Sequence, residues 1–213
     1  MRNVLILLIS VICIVGCMDI GKYDNPEYGT LDIRKIESSQ DINGYPCKKG
    51  KVTFYENDSL MNFVLYEDFV INNDMIPADS DITMYWNGKP EFIYLSKETE
   101  IQGYIPTAKR IAYWHVSFYN NGKLHLFSLK DDTHIAGVPC QKGDDLRLFP
   151  NGDLWECTLS EDFEIEGKKF SSGAHLIFDE KGQVYNFSLS RYNEIKDRLK
   201  IHEFTKRFYS NKL

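Results

Sequence analysis

Turn-forming residue pairs divide the chain into segments of nearly equal length, with apolar residues at fixed positions between them. The pairs are Asn57-Asp58, Asn87-Gly88, Asn121-Gly122, Asn151-Gly152 and Lys181-Gly182. Between the second residues of successive pairs, the intervals are 30, 34, 30 and 30 residues. A period of this length is typical of proteins built from stacked structural repeats.

The apolar positions keep the same phase in every segment. Seven residues after the second turn residue stand Leu65, Leu95, Leu129, Leu159 and Leu189. Thirteen residues after it stand Ile71, Ile101, Ile135, Ile165 and Ile195, and six residues before it stand Val52, Ile82, Val116, Leu146 and Leu176. Counting from Gly29 reaches Ile36 and Ile42 at the same offsets. We therefore predict five units and a partial one at the start.

The turn chemistry predicts that each unit is a β-hairpin. An Asn-Gly pair between alternating apolar runs favours a two-residue type I′ turn, which requires positive φ at both central residues. With that loop at residues 121–122, Phe118 would face His125, Val116 would face Phe127, and Trp114 would pair with Leu129. Alternation along the strands then places on one buried face Leu146, Leu148, Trp155, Cys157 and Leu159, and in the last unit Leu176, Phe178, Tyr185, Phe187 and Leu189.

The predicted fold class is all-β, an elongated antiparallel sheet or solenoid of five to six hairpin repeats. A single hairpin is marginally stable in water, so the repeats must stack on one another. After each hairpin, a segment such as residues 164–170 would return the chain through a tighter turn. We predict a repeat domain over residues 29–197 and a cap over residues 198–213, formed by either a helix or a strand.

Two segments resemble MORN-type repeats in the looser form found in bacterial lipoproteins and antitoxin-like proteins. They are residues 118–124, Phe-Tyr-Asn-Asn-Gly-Lys-Leu, and residues 178–184, Phe-Asp-Glu-Lys-Gly-Gln-Val. The resemblance covers most of residues 29–197, although the spacing is longer than usual and most second glycines are missing. It implies a sheet used as a scaffold or binding surface, and no particular activity.

Residues 1–16 have the pattern of a signal peptide. Arg2 precedes an apolar run over residues 4–15, which is shorter than the roughly 20 residues that span a bilayer. The ending Ile14-Val15-Gly16-Cys17 resembles the lipobox of bacterial lipoproteins, which implies lipid attachment at Cys17 after cleavage. The alternative is an ordinary secretory signal with a chance cysteine. Residues 17–28 would form the anchor and linker.

The predicted location is therefore the cell envelope, with the membrane contacted through the lipid anchor. By the same family resemblance, aspartate directly after the lipidated cysteine retains lipoproteins at the inner membrane. Met18 occupies that position, so the outer membrane is favoured.

The composition of the chain argues against one class of partner and agrees with a β-fold. The chain has a formal net charge of −6 and no strong basic cluster, which argues against nucleic acid. Its 13 Tyr, 13 Phe and 3 Trp favour strands. No nucleophile motif, phosphate loop or histidine ligand spacing is present, so we predict no catalytic residues, cofactor or metal site.

The cysteines after Cys17 are predicted to be structural. Cys47 and Cys140 follow prolines in equivalent positions of distant units, so unpaired and at least partly buried thiols are expected. Cys157 falls on the core face. A Cys140–Cys157 disulfide is the alternative.

An acidic column stands ten residues after the turns, at Asp68, Glu98, Asp132 and Asp162. Calcium binding is one interpretation, since that ion takes six to eight oxygen ligands. Equivalent residues of neighbouring hairpins would lie roughly 10 Å apart, however, and acids in turns commonly accept backbone hydrogen bonds. We favour the second interpretation.

An aromatic stripe stands three residues before each origin, at Tyr55, Tyr85, Tyr119 and Phe149. It suggests a platform for a glycan or protein ligand, although cross-strand packing is the favoured interpretation. The function expected from the whole chain is a non-catalytic protein-interaction or scaffold module of the envelope. The alternatives are a carbohydrate-binding or enzymatic lipoprotein, and an immunity or antitoxin-like protein.

Overall fold

The computed structural model describes residues 21–108, 115–165 and 167–188. Within these ranges the predicted all-β fold is confirmed, because every regular element is a β-strand. The chain divides into two compact units, residues 1–124 and residues 125–213. Its first described strand begins at Gly21, ahead of the repeat-domain boundary predicted at residue 29.

The first unit contains the strands β1 (Gly21–Asn25), β2 (Gly29–Ile36), β3 (Gln40–Ile42), β4 (Tyr45–Cys47), β5 (Gly50–Tyr55), β6 (Leu60–Val64), β7 (Phe69–Ile71), β8 (Asp74–Ile76), β9 (Asp81–Met84), β10 (Pro90–Tyr94) and β11 (Val116–Phe118). Seven of them form an antiparallel sheet in the order β1-β2-β5-β6-β9-β10-β11. The other four form two separate two-stranded hairpins, β3–β4 and β7–β8.

The second unit follows the same plan. Its strands are β12 (Leu124–Ser128), which starts at the unit boundary, β13 (Thr133–Ile135), β14 (Val138–Cys140), β15 (Asp145–Leu148), β16 (Leu154–Thr158), β17 (Phe163–Ile165), β18 (Lys168–Phe170), β19 (His175–Phe178) and β20 (Val184–Ser188). The sheet order is β12-β15-β16-β19-β20, and β13–β14 and β17–β18 are separate hairpins. We call the hairpins of the sheet "sheet hairpins" and the separate ones "side hairpins".

The repeating apolar positions form the core, as predicted. Buried residues include Leu65, Leu95, Leu129 and Leu159 seven residues after the turns, Val52, Ile82, Val116, Leu146 and Leu176 six before them, and Ile71, Ile101 and Ile135 thirteen after them. Burial of each such side chain contributes about 1.5–3 kcal/mol relative to exposure. The apolar positions that recur from repeat to repeat therefore stabilise the sheet hairpins and the side hairpins together.

The two-residue turn predicted for the sheet hairpins is wrong. Between β15 and β16, the Gly152 N–H donates to the Phe149 carbonyl at 2.8 Å, and the Phe149 N–H donates to the Asp153 carbonyl at 2.8 Å. Gly152 has positive φ, at 95°, whereas Asn151 does not. This is a type I turn followed by a G1 bulge. The Asn151 side chain favours it, since its Oδ1 accepts the Asp153 N–H at 3.0 Å.

The same turn at residues 119–123 excludes the predicted Phe118–His125 pairing. There the Tyr119 N–H donates to the Lys123 carbonyl at 2.8 Å, and the Gly122 N–H donates to the Tyr119 carbonyl at 2.8 Å. Leu124 is buried, whereas His125, the residue predicted to face Phe118, is only half-buried. The predicted Val116–Phe127 pairing stays a prediction.

The bulge changes which side chains enter the core. In the second unit Leu148 is paired with Leu154, and Leu154 rather than the predicted Trp155 is buried. In the last hairpin Phe178 is paired with Val184, and Tyr185, the extra residue of the bulge, is 78% exposed. Phe187 keeps its predicted register opposite the buried Leu176 but is exposed, and it lies on β20, the last strand of the described sheet order. The core positions predicted for Trp155, Tyr185 and Phe187 are therefore wrong.

The remaining core predictions for these two hairpins are confirmed where they can be compared. The buried residues are Leu146, Leu148, Cys157, Leu159, Leu176 and Phe178. Trp114 and Leu189 lie outside the described residues.

Type I′ turns occur instead in the returns between sheet hairpins. Both central residues have positive φ at Asn43-Gly44, Asn72-Asn73, Gln102-Gly103 and Ala136-Gly137. The tighter turn predicted within residues 164–170 is also present, with Ile165 paired to Lys168.

Side hairpins connect to the repeat that follows them. The Tyr66 N–H donates to the Pro46 carbonyl at 3.0 Å, and the Ser160 N–H donates to the Pro139 carbonyl at 2.9 Å. Isolated bridges join Cys47 to Leu65 and Cys140 to Leu159. At β3–β4 and β13–β14, successive repeats are thus linked twice by backbone, once through the sheet and once through the side hairpin.

Candidate interaction surface

The predicted lipid attachment at Cys17 and the predicted cap over residues 198–213 lie outside the described residues, and both stay predictions. In the part of the chain that the structure describes, no helix is long and apolar enough to cross a membrane.

The aromatic stripe lies within the sheet, and its contacts favour packing. Tyr55 and Tyr119 are buried, and Tyr85 and Phe149 are half-buried. The Tyr55 hydroxyl donates to the Met84 carbonyl at 2.6 Å, and the Tyr85 hydroxyl donates to the Phe118 carbonyl at 2.9 Å. Each of these hydroxyls therefore joins its own sheet hairpin to the next.

The acidic column closes the side hairpins. Asp68, Asp132 and Asp162 each accept a backbone N–H from ten residues later, at 2.8 Å in every case. Ser39 does the same for the Lys49 N–H at 3.1 Å. These bonds supply the local role that the sequence favoured for the acids. Among the described residues, no group of three or more His, Cys, Asp or Glu side chains is arranged to hold a metal ion.

The three described cysteines are free and buried, as predicted for unpaired structural thiols. A hydrogen bond with Cys140 and burial raise the pKa of the Cys157 thiol far above its usual range. Because the thiolate is the reactive form, a thiol held protonated is a poor nucleophile.

The structure reveals a buried acid, Glu91, that the sequence did not indicate. Glu91 is the extra residue of the bulge between β9 and β10 and is only 7% exposed. Tyr28 donates its hydroxyl to Glu91 Oε1 at 3.1 Å, while Oε2 has no hydrogen-bond partner. Burial raises the pKa of Glu91 to about 7, and the nearby charge of Glu27 adds to the shift. The turn type, once known, identifies the bulge position in the sequence.

A second charged group lies on the face of the second unit's sheet opposite its core. Buried Glu156 forms an ion pair with Arg147, and the His175 Nε2 lies 4.0 Å from Glu156 Oε2. Thr158 Oγ1 lies 3.4 Å from the His175 Nδ1. A hydroxyl, an imidazole and a carboxylate in a row have the order of a nucleophilic triad, but here Arg147 neutralises the carboxylate. The group is best described as a satisfied ion-pair network.

Four exposed apolar side chains lie on the side-hairpin region of the first unit. Val70 and Met75 are directly paired on β7–β8 and are 51% and 53% exposed. Ile105 and Tyr66 are 46% and 36% exposed. Their neighbours Ile71 and Ile76 are buried, so strand alternation turns Val70 and Met75 outward. We call Tyr66, Val70, Met75 and Ile105 the outer patch.

Hydrogen bonds hold the two segments of the outer patch together. The Gln102 N–H donates to Asp74 Oδ1 at 2.9 Å, which joins the return at residues 101–104 to β8. The side-chain amides of Asn72 and Gln102 both donate to the Gly122 carbonyl, at 2.6 and 2.8 Å. The outer patch therefore stands on a braced backbone.

Acidic residues flank the members of the outer patch along the chain. Residues 66–75 and 97–105 contain Glu67, Asp68, Asp74, Glu98 and Glu100, with Lys97 as their only basic residue. Asp68 and Lys97 lie 3.7 Å apart. An apolar surface with an acidic rim has the anatomy of a protein-binding site, in which apolar contacts occupy the centre and charges the edge.

Comparison with known proteins finds no family model, no curated protein and no solved structure that matches this chain.

Proposed function

We propose that this protein is a lipid-anchored, non-catalytic interaction module of the cell envelope, which binds another protein through the outer patch. The observation that carries this proposal is the exposure of the directly paired Val70 and Met75, with exposed Ile105 at the equivalent position of the next return, beside core columns that are buried. Half-exposed aliphatic side chains on a braced β-surface gain by being covered.

The anchor in this proposal rests on the sequence alone. The lipobox resemblance at Ile14-Val15-Gly16-Cys17 supports lipid attachment, and Met18 supports the outer membrane over the inner one. The MORN-type resemblance at residues 118–124 and 178–184 supports the role of scaffold. The aromatic stripe gives less support to glycan binding, since the Tyr55 and Tyr85 hydroxyls bond to the backbone.

Site-specific photo-crosslinking in intact cells tests the proposal. A photoreactive residue is placed at position 70 in the outer patch or, as the matched control, at position 164. Glu164 occupies the same position of the second unit's side hairpin and is exposed. We expect one recurrent protein adduct from position 70 and none from position 164.

The anchor is tested in the same cells. Cys17→Ser should release the protein from the membrane fraction and reduce the adduct from position 70. Equal adducts from positions 70 and 164, or none from either, would refute binding through the outer patch. Membrane retention of the Cys17→Ser protein would refute the anchor.

A further inference from the structure

The acidic rim of the outer patch identifies the chemistry of its partner. We propose that the outer patch binds a protein segment in which aliphatic side chains alternate with lysines or arginines. This inference rests on the proposed function and adds the class of partner to it.

The apolar part of the segment is set by the pairing within β7–β8. Val70 and Met75 are opposite one another across the hairpin, so they form a continuous apolar strip two strands wide. Ile105 occupies in the next return the position that Met75 occupies in β8, and the Gln102–Asp74 hydrogen bond connects the two returns. An extended segment with aliphatic residues on one face matches this strip, because side chains of a strand alternate between faces.

The acidic rim of the outer patch determines which charged residues the partner segment should carry. Glu67, Glu98 and Glu100 are exposed, and no basic residue other than Lys97 lies in either stretch that forms the patch. Asp68 is exposed as well and lies 3.7 Å from Lys97, whereas Asp74 is half-buried with a buried Oδ2 and adds little to the rim. A negative rim attracts a basic segment and repels an acidic one, and complementary charge mainly increases the association rate and the specificity.

The same rim argues against two other occupants. An anionic membrane surface attracts basic segments and repels acidic ones. A second copy of this chain would bring one acidic rim against another, and the chain as a whole carries a net charge of −6. A basic protein segment satisfies both the apolar strip and the rim.

Peptide binding to the full chain in neutral detergent micelles tests this inference. Three fluorescent twelve-residue peptides are compared by anisotropy, with alternating Lys and Leu, alternating Glu and Leu, and alternating Lys and Ser. We expect the Lys-Leu peptide to bind at least tenfold more tightly than either of the others. Its affinity should fall as salt rises, because the Debye length shortens from about 10 Å at 0.1 M to 3 Å at 1 M.

Matched variants locate the peptide-binding site on the protein. Because all variants are measured in the same micelles, differences between them do not include binding of the peptide to the micelle. Val70→Thr with Met75→Thr keeps β-forming side chains and should weaken Lys-Leu binding about tenfold. Glu67→Gln with Glu100→Gln should weaken it severalfold and flatten its salt dependence. The control, Glu164→Thr with Lys169→Thr, changes the equivalent outward pair of the second unit and should leave binding unchanged.

The two proposals fail in different ways. Equal affinity for the Lys-Leu and Glu-Leu peptides, or for the Lys-Leu and Lys-Ser peptides, would overturn the basic aliphatic partner. Unchanged binding of the Lys-Leu peptide to the Val70/Met75 variant would also overturn it. So would tighter association of the protein with anionic vesicles than with neutral ones. If a cellular adduct at position 70 persists unchanged in the Glu67/Glu100 variant, the interaction stands and its charge chemistry is refuted. If the peptides bind as expected but no adduct forms in cells, the chemistry of the surface stands and the proposed function is refuted.

Discussion

The side hairpins β7–β8 of the first unit and β17–β18 of the second have the same strand pairing but differ in the chemistry of their outward side chains. In the first unit the outward pair of β7–β8 is Val70 and Met75, and in the second unit the outward pair of β17–β18 is Glu164 and Lys169. The outward His134 of β13–β14 lies 3.6 Å from Glu161. None of the described residues in the second unit's side hairpins is an exposed large apolar one. The fold thus constrains the inward positions and leaves the outward ones to carry binding chemistry.

The two units also differ in how their side hairpins are braced. At the first central turn position, the first unit has Asn43, Asn72 and Gln102, whose side-chain amides donate to the carbonyls of Asp58 or Gly122. The second unit has Ala136 there, which has no side-chain donor. A braced surface loses less conformational entropy on binding, and this suits the unit that carries the outer patch.

The largest expected effect tests whether the two units depend equally on the leucine at the same repeat position of their cores. Leu65→Ala and Leu159→Ala each remove a buried leucine from the same repeat position. We expect each substitution to lower the free energy of unfolding by about 2–5 kcal/mol, through lost burial and the cavity left behind. Urea titration with hydrogen exchange, read separately for peptides of each unit, measures the cost. A loss of unfolding free energy below about 1 kcal/mol in one unit would show that this leucine position does not have the same role in both units.

The next effect tests the brace at Gly122. Gly122 has φ of 85°, and an added Cβ would lie 2.6 Å from Asn72 Oδ1. Gly152 has φ of 95° but no atom within 4 Å of such a Cβ. Both Gly→Ala variants therefore carry the left-handed strain of about 1–2 kcal/mol, and Gly122→Ala carries the steric clash in addition. Equal loss of unfolding free energy in the two variants would show that the brace is unimportant.

A smaller effect concerns Glu91, the buried acid of the first unit. Its pKa is raised to about 7, so the folded state keeps a proton that the unfolded chain loses near pH 4.5. The contribution to stability is therefore fully present below about pH 4.5 and is lost as pH rises to about 7, for a total of about 3 kcal/mol. Glu91→Gln should remove this slope. Denaturant unfolding at pH 4.5 and pH 8 measures it, with the exposed Glu164→Gln as control, and parallel pH profiles for wild type and Glu91→Gln would contradict the assignment.

The smallest effect on the unfolding free energy is expected at the outward pairs of the side hairpins, where the two units differ most. Val70→Thr with Met75→Thr and Glu164→Thr with Lys169→Thr alter only exposed side chains, so each pair should change the unfolding free energy by less than about 1 kcal/mol. Thermal unfolding checks this. A large loss from the Val70/Met75 pair would mean that the outer patch is part of the core, and its role in binding would have to be abandoned.

The candidate surface was less visible in the sequence than the fold. Periodicity led to the aromatic stripe, whose Tyr55 and Tyr119 are buried. Yet residues 69–71, Phe-Val-Ile, are a run of three apolar residues within a short hairpin, where alternation would place a polar residue in the middle. That break in alternation is the signal that could have indicated Val70.

The sequence by itself determined the repeat, its buried columns, its hairpins and its unpaired buried thiols. These follow from spacing, because residues such as Leu65 and Leu159 occupy equivalent positions in every copy. Only the tertiary structure decided the turn type. An Asn-Gly pair is compatible with both a type I′ turn and a bulged type I turn, and the choice places Leu154 instead of Trp155 in the core. It also makes Glu91 the extra residue of its own bulge, where Tyr28 contacts it. The tertiary structure also decided the outer patch, since exposure depends on which side of each hairpin the next repeat covers.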